Sequence, residues 1–120
     1  MPLRILIVDD SDMTRELIHE FAECSGHQIV AEAATMQEAV AAYQSSKPDL
    51  VTLDLSLADG DGLGVLKALR RLDPRARVIV VSGTIQKNAR DEVQRAGAAG
   101  FLSKPFSLED LGGVLARFSQ

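Results

Sequence analysis

The sequence has little of several residue types, and each shortage argues against a class of protein. One cysteine, Cys24, stands among 120 residues, so no disulfide can form within the chain, as is typical of proteins in a reducing cytoplasm. There is no tryptophan and only 4% of residues are aromatic, which argues against a surface that stacks nucleic-acid bases. No apolar run approaches the roughly 18 residues of a membrane span, and residues 5–8 are too short a run for a signal peptide.

Net charge and chain length exclude further classes of protein. The net charge of −4 argues against a general binder of nucleic acid or of anionic membranes. Hydrophobic residues make up 46% and charged residues 25%, which is typical of a globular protein. We therefore expect one cytoplasmic domain over residues 1–120, with no linker and no attached output domain.

Short apolar runs alternate with helical patterns along the whole chain. The predicted strands cover residues 4–9, 28–33, 49–54, 77–82 and 100–103. The predicted helices run from Ser11 or Asp12 to about Cys24, from a Thr35 cap to Ser46, from Gly62 to Leu72, from Gln86 to Ala96, and onward from a Ser107 cap. A glycine-rich loop, LADGDG, follows the third strand. Alternation with helix-length crossovers predicts a parallel sheet covered on both faces.

Apolar residues at helical spacing predict which helix faces are buried. In the first helix they are Leu17, Ile18 and Phe21. In the last helix they are Leu108, Leu111, Val114, Leu115 and Phe118. Tyr43 is expected to pack the second helix against the sheet.

The apolar content of the strands predicts their order. Strands 1, 3 and 4 are the most continuously apolar and should be central, whereas strands 2 and 5 are more polar and should be edges. The order 2-1-3-4-5 meets both requirements. The predicted fold is therefore a doubly wound, flavodoxin-like α/β fold with five βα units.

Polar side chains follow four of the predicted strands where each one ends. Asp9 and Asp10 end the first strand, Asp54 the third, Ser82 the fourth, and Lys104 follows the fifth. In a parallel sheet these ends share one edge, and ligands bind there, where the strand order reverses. A serine on the neighbouring strand can reach a group on Asp54, but strand 5 is roughly 10 Å away, so only a long side chain such as Lys104 spans the gap.

Three carboxylates with one lysine predict a hard, oxygen-rich cation site. Magnesium fits it best, because Mg²⁺ prefers a few carboxylates together with water and phosphate oxygens. A transition metal would more often use histidine or cysteine. His19, His27 and Cys24 all lie in or just beyond the first helix, away from this edge.

This constellation resembles the receiver domain of two-component response regulators over essentially the whole chain. The resemblance rests on the Asp9-Asp10 pair, on Asp54 in VTLDLSLADGDGL, on Ser82-Gly83 in VIVVSGT, and on Lys104-Pro105 in GAAGFLSKPF. It implies that Asp54 accepts a phosphoryl group from a phosphohistidine on a sensor histidine kinase or histidine phosphotransfer protein. It further implies that Asp10, Asp54 and the main-chain carbonyl of Ser56 bind Mg²⁺ directly, with Asp9 acting mostly through a bound water.

The resemblance also assigns the switching residues. Ser82 is implied to hydrogen-bond a phosphoryl oxygen, Gly83 to leave room for it, and Lys104 to pair with another, with a cis bond to Pro105. Phe101 is implied to be the switching aromatic residue. Its movement would alter the face formed by the fourth helix, fifth strand and fifth helix, which would control a downstream protein target. Ser56 and Thr84 are implied to border the path of the water that removes the phosphoryl group.

Three other functions are weighed against this one. A magnesium-dependent phosphatase that works through an aspartyl phosphate usually has a second acid two residues after its nucleophile, where this chain has Ser56. A flavin or nucleotide binder needs a glycine-, serine- or threonine-rich loop after the first strand, and the acidic DDSD would repel phosphate. A receiver-like module that binds proteins without phosphorylation stays open. We expect no enzymatic turnover beyond self-phosphorylation and autodephosphorylation.

Overall fold

Five strands and five helices alternate along the part of the chain that the computed structural model describes, residues 2–56, 62–83 and 87–119, with side chains excepted at 87–89. The strands are β1 (Arg4–Val8), β2 (Gln28–Ala33), β3 (Leu50–Asp54), β4 (Val78–Ser82) and β5 (Gly100–Ser103). The helices are α1 (Asp12–Cys24), α2 (Met36–Ser46), α3 (Gly62–Leu72), α4 (Lys87–Arg95) and α5 (Leu108–Phe118). The predicted glycine-rich loop up to Asp61, Thr84 and Gln86 lie outside the described residues.

The sheet has the predicted order, β2-β1-β3-β4-β5, and every neighbouring pair is parallel. All residues of β3 and β4 are buried, and so are all of β1 except Arg4. The edge strands β2 and β5 are partly exposed. Burial on both faces therefore selects the apolar runs for the centre, as the sequence predicts.

Helices cover both faces of the sheet and form two apolar layers. On one face α1 and α5 contribute Ile18, Ala22, Leu111 and Leu115. On the other face the helices contribute Ala39, Tyr43, Val65, Leu66, Leu69 and Val93. Tyr43 is buried as predicted, and its hydroxyl donates to Asp73 Oδ2 at 2.8 Å, which ties α2 to the end of α3.

The predicted helix caps are present. Each capping side-chain oxygen accepts a backbone N–H from three residues further on, in the pairs Ser11–Thr14, Thr35–Glu38 and Ser107–Asp110. In the last pair the Asp110 carboxylate also accepts the Ser107 N–H, completing a capping box. The cap at Ser11 starts α1 directly after the acidic pair, so it fixes where the helix leaves the sheet edge.

Two predictions of burial are wrong. Leu17 is 38% exposed and Leu108 is 41% exposed, although both are predicted to face inward. The buried stripe of α1 follows Ile18 and Ala22, one helical turn apart, which leaves Leu17 on the flank. Leu108 is the first residue of α5, and burial in that helix begins one turn later at Leu111. Among the described helices, none combines the length and apolar character needed to cross a bilayer.

Candidate functional site

The carboxyl ends of β1 and β3 bring three acidic side chains together at one edge of the sheet. One carboxylate oxygen each from Asp9, Asp10 and Asp54 lies within 4.8 Å of the others. Asp9 and Asp54 are buried, whereas Asp10 is exposed. The structure thus places these predicted residues in one cluster, and such a set of hard oxygens can hold a divalent cation.

Lys104 is the predicted long side chain that reaches this cluster from beyond β5. Its Nζ lies 3.3 Å from Asp54 Oδ2 and 3.5 Å from Asp9 Oδ2. The bond between Lys104 and Pro105 is cis, as the resemblance implies. The ammonium group therefore offsets part of the repulsion between two buried carboxylates, which at about 4 Å reaches roughly 4 kcal/mol at an effective dielectric constant of 20.

Ser56 orients the Asp54 carboxylate. The backbone N–H and the hydroxyl of Ser56 both donate to Asp54 Oδ1, at 3.0 and 2.9 Å. Two donors on Oδ1 leave Oδ2 facing Lys104, so the two oxygens of this carboxylate are chemically different. The contribution of the Ser56 carbonyl as a metal ligand stays a prediction.

Ser82 is the last residue of β4, and Gly83 follows it. Ser82 is buried, with 8% exposure, and β4 is directly paired with β3, where Asp54 lies opposite Val81. A Cβ added at Gly83 would lie 3.9 Å from the Lys104 Cβ, which is an ordinary contact. The register therefore places Ser82 at the same edge of the sheet as Asp54, and the structure has room for a methyl group at position 83.

Arg15 is a residue of this site that the sequence analysis misses. Its side chain is only 16% exposed, and it donates to the backbone carbonyl oxygen of Asp9 at 2.5 Å. It also pairs with Asp12 and, at 3.3 Å, with Glu32 of β2. The sequence signal is weak, since an arginine one turn into a helix is usually a solvated surface residue. Only the packing of α1 against the edge shows that it braces the loop carrying the acidic pair.

The histidines and the cysteine lie apart from the cluster, as predicted. His19 contacts Glu23 and Glu32 on the outer side of α1, and Cys24 is exposed. His27 Nδ1 accepts the Leu3 N–H at 3.0 Å, and burial lowers the pKa of this imidazole. His27 therefore acts as a neutral acceptor that joins β1 to the start of β2.

The surroundings of Asp9 disfavour the charged form of its carboxyl group. Burial raises the pKa of the Asp9 carboxyl, and the nearby Asp54 adds to this, while the Ser11 N–H and Lys104 act in the opposite direction. The Ser11 N–H donates to Asp9 Oδ1 at 2.9 Å. The ionised form of Asp9 is the form that binds a cation. At neutral pH this ionised form therefore lowers the free energy of unfolding.

Replacing Asp9 by asparagine should stabilise the metal-free protein. The amide keeps the acceptor for the Ser11 N–H and removes the buried charge, so we expect the free energy of unfolding at pH 7 to rise by about 1 kcal/mol, or about 4 °C in Tm. Since the folded-state pKa of Asp9 is raised, its charge penalty appears only as pH rises through that pKa. The difference between variant and wild type should shrink in thermal unfolding scans towards pH 4. A variant less stable than wild type at pH 7 would contradict this account.

Comparison with known proteins supports a family assignment. The pattern of the response regulator receiver domain matches residues 5–116. The chemotaxis protein CheY of Bacillus subtilis (strain 168) is 38% identical over 109 residues, covering 91% of each chain. The chemotaxis protein CheY of Thermotoga maritima is 36% identical over 106 residues, covering 88% of each chain.

Solved structures agree with these sequence matches. The crystal structure of a LuxR-family two-component response regulator from Aurantimonas sp. SI85-9A1 superposes with a TM-score of 0.92 at 29% identity, covering 99% of this chain and 86% of that one. A chain of the CheX-CheY-BeF3-Mg complex from Borrelia burgdorferi superposes with a TM-score of 0.88 at 32% identity, covering 98% and 87%. The chain therefore belongs to the response regulator receiver domain family and is a receiver of two-component signalling.

Proposed function

We propose that Asp54 accepts a phosphoryl group from a phosphohistidine on a sensor histidine kinase or a histidine phosphotransfer protein. The observation that carries this proposal is the cluster itself: Asp9, Asp10 and Asp54 each offer a carboxylate oxygen within 4.8 Å of the others, beside Lys104. Metal-assisted transfer to a carboxylate needs such an arrangement, because a lone carboxylate is a poor nucleophile towards an anionic phosphoryl group.

Magnesium is the cation that fits this donor set. Asp10, Asp54 and the Ser56 carbonyl would hold the ion directly, and Asp9 would act through a bound water. Bound Mg²⁺ supplies charge screening between the carboxylates and the incoming phosphoryl oxygens. The residues offered are all oxygen donors, and in the described part of the chain this cluster contains no histidine or cysteine that would favour a transition metal.

The two oxygens of Asp54 have different tasks in the proposed transfer. Oδ1 is held by the two donors of Ser56, which fix the carboxylate plane. Oδ2 faces Lys104 and attacks phosphorus, forming the O–P bond while the P–N bond to the donor histidine breaks and its electrons return to the imidazole. Lys104 then lies beside the new phosphoryl oxygens, and Ser82 offers its hydroxyl to one of them.

Phosphorylation would bias a two-state switch. The aspartyl phosphate adds about 1.5 to 2 negative charges at pH 7. Lys104 and Ser82 are drawn to that charge, and Phe101, three residues before Lys104 on β5, changes position. The face formed by α4, β5 and α5 then changes its affinity for a downstream protein target. On this proposal the chain turns over no external substrate and only gains and hydrolyses its own phosphoryl group.

An apolar surface beside the acidic cluster supports docking of a protein donor. Met13 is 79% exposed and Leu17 is 38% exposed on the flank of α1. Leu17 also lines a groove of about 320 Å³ together with Thr14, Lys104, Pro105 and Phe106. Because Lys104 belongs to both the groove and the acidic cluster, a donor protein seated on this surface would have its histidine near Asp54.

Replacing Leu17 by aspartate should slow transfer from a phosphohistidine protein by about tenfold or more, because it places a charge in an apolar contact. Phosphorylation by acetyl phosphate should be unchanged, since a small donor needs no docking surface. Both rates can be measured with purified protein and any phosphorylated histidine phosphotransfer domain that serves it. Leu72→Asp is the matched control, since Leu72 is 41% exposed on α3. Equal slowing with both donors would show that Leu17 acts on the acidic cluster rather than on docking.

The experiment that tests the proposed function is incubation with acetyl phosphate, with Mg²⁺ or with EDTA. We expect one phosphoryl group per chain with Mg²⁺ and none with EDTA. Continuous release of phosphate from added phosphomonoesters would instead favour the phosphatase. A chain that binds its target equally with and without Mg²⁺ and acetyl phosphate would favour a phosphorylation-independent binding module.

A further inference from the structure

Arg90 of α4 lies over the ring of Phe101. The guanidinium carbon is 5.2 Å from the ring centroid, which is the geometry of a cation–π contact. Arg90 is exposed, while Phe101 is half-buried against the apolar layer that contains Val80 and Val93. The ring therefore contacts both this apolar layer and the guanidinium group of Arg90.

The sheet register connects this pair to the acidic edge. Phe101 lies opposite Val80, and Ser82, two residues beyond Val80 on the same face of β4, lies opposite Ser103. Ser82 and Phe101 are thus neighbours on one face of the sheet, separated by one step along the strand. Lys104, which contacts Asp54, follows Phe101 by three residues. Lys104 and Ser82 therefore connect the surroundings of Asp54 to the Phe101 ring that Arg90 contacts.

Within the described residues no carboxylate lies close enough to Arg90 to form an ion pair with it, so no described ion pair competes with its contact to the Phe101 ring. Arg95, at the end of the same helix, is also exposed but makes no such ring contact in the described structure. The chain thus contains a matched arginine on α4 that carries the same charge without the ring.

The geometry points to Arg90 as a positioning residue that holds the Phe101 ring in its unphosphorylated position and so opposes the switch. This inference rests on the proposed function. If the contact exists only in the unphosphorylated state, removing it destabilises that state alone. A ligand that favours the phosphorylated state then binds more tightly. Its affinity rises by the same factor by which the contact had favoured the unphosphorylated state. At an exposed site this factor is roughly two- to fivefold.

Beryllofluoride binding provides the test, because this anion mimics an aspartyl phosphate in the presence of Mg²⁺. Its apparent Kd can be measured for the full chain at fixed Mg²⁺ from amide NMR shifts. We expect Arg90→Ala to bind it roughly two- to fivefold more tightly than wild type. Arg95→Ala, which removes the same charge, should leave the Kd unchanged. Arg90→Lys, which keeps a cation without the planar stack, should fall between wild type and Arg90→Ala.

A double-mutant cycle separates the ring contact from a general effect of charge. In a Phe101→Leu background, Arg90→Ala should no longer change the Kd, because the ring it acts through is gone. An effect that persists in that background, or that Arg95→Ala reproduces, would overturn the role assigned to Arg90. So would a Kd for Arg90→Ala equal to that of wild type. Wild-type protein that fails to bind beryllofluoride at all would instead overturn the proposed function, and the inference with it.

Discussion

Replacing Asp54 by asparagine should abolish phosphorylation by acetyl phosphate and by a phosphohistidine protein. The amide has nearly the same shape, so its oxygen can still accept the two Ser56 donors that now hold Oδ1. What is lost is the nucleophilic Oδ2 that faces Lys104 at 3.3 Å. Incorporation of radioactive phosphate into the purified variant, compared with wild type at equal Mg²⁺, measures the effect.

A matched control removes one negative charge elsewhere. Glu20 is exposed on α1, away from the acidic cluster, so Glu20→Gln should be phosphorylated at the wild-type rate. Undiminished incorporation into Asp54→Asn would move the acceptor to another group and overturn the assignment of Asp54. Equal loss in both variants would attribute the effect to net charge.

The second large effect is expected from Gly62→Ala, at the start of α3. A Cβ at this position would lie 2.5 Å from the Leu55 Cα and 2.7 Å from the Asp54 carbonyl oxygen. These are backbone atoms, so no side chain can rotate away, and the segment carrying Asp54 must shift. We expect the free energy of unfolding to fall by about 1–3 kcal/mol. We also expect phosphorylation by acetyl phosphate to slow by about tenfold or more, because Asp54 is displaced.

Gly113→Ala is the control for this prediction. Gly113 lies inside α5, and a Cβ there meets nothing within 4 Å. Alanine should therefore stabilise the helix by about 0.5–1 kcal/mol without changing the phosphorylation rate. Chemical denaturation and the acetyl phosphate assay provide both quantities. If Gly62→Ala were as stable and as active as wild type, the close approach of α3 to Asp54 would not constrain the cluster.

The sequence predicts the fold well because strands buried on both faces appear in the sequence as nearly continuous apolar runs. The runs Ile5–Val8 and Val78–Val81 are apolar throughout, and Leu50–Leu53 is apolar except for the buried Thr52. The structure places all three runs in the central strands. Its main errors concern single residues at helix flanks and ends. Leu17 and Leu108 fit a helical apolar pattern, but the pattern does not show how far the sheet extends beneath each helix.

The sequence predicts which residues belong to the candidate site better than it predicts the contacts that they make. The carboxyl ends of parallel strands must share an edge, so Asp9, Asp54 and Lys104 could be brought together from the order of strands alone. The role of Arg15 could not be predicted from the sequence, because its contact with the Asp9 carbonyl oxygen depends on the exact packing of α1. The stacking of Arg90 on Phe101 is equally invisible in sequence, since the two residues belong to different elements with no fixed spacing.

Locating the phosphoryl group on the wild-type chain tests directly whether Asp54 is the acceptor. After incubation with acetyl phosphate and Mg²⁺, reduction with borohydride converts an aspartyl phosphate into homoserine, and peptide mass spectrometry identifies the modified position. We expect homoserine at position 54 and nowhere else, with none formed when EDTA replaces Mg²⁺. Modification at Asp9, Asp10 or any other residue in place of Asp54, or no modification with Mg²⁺ present, would contradict this assignment.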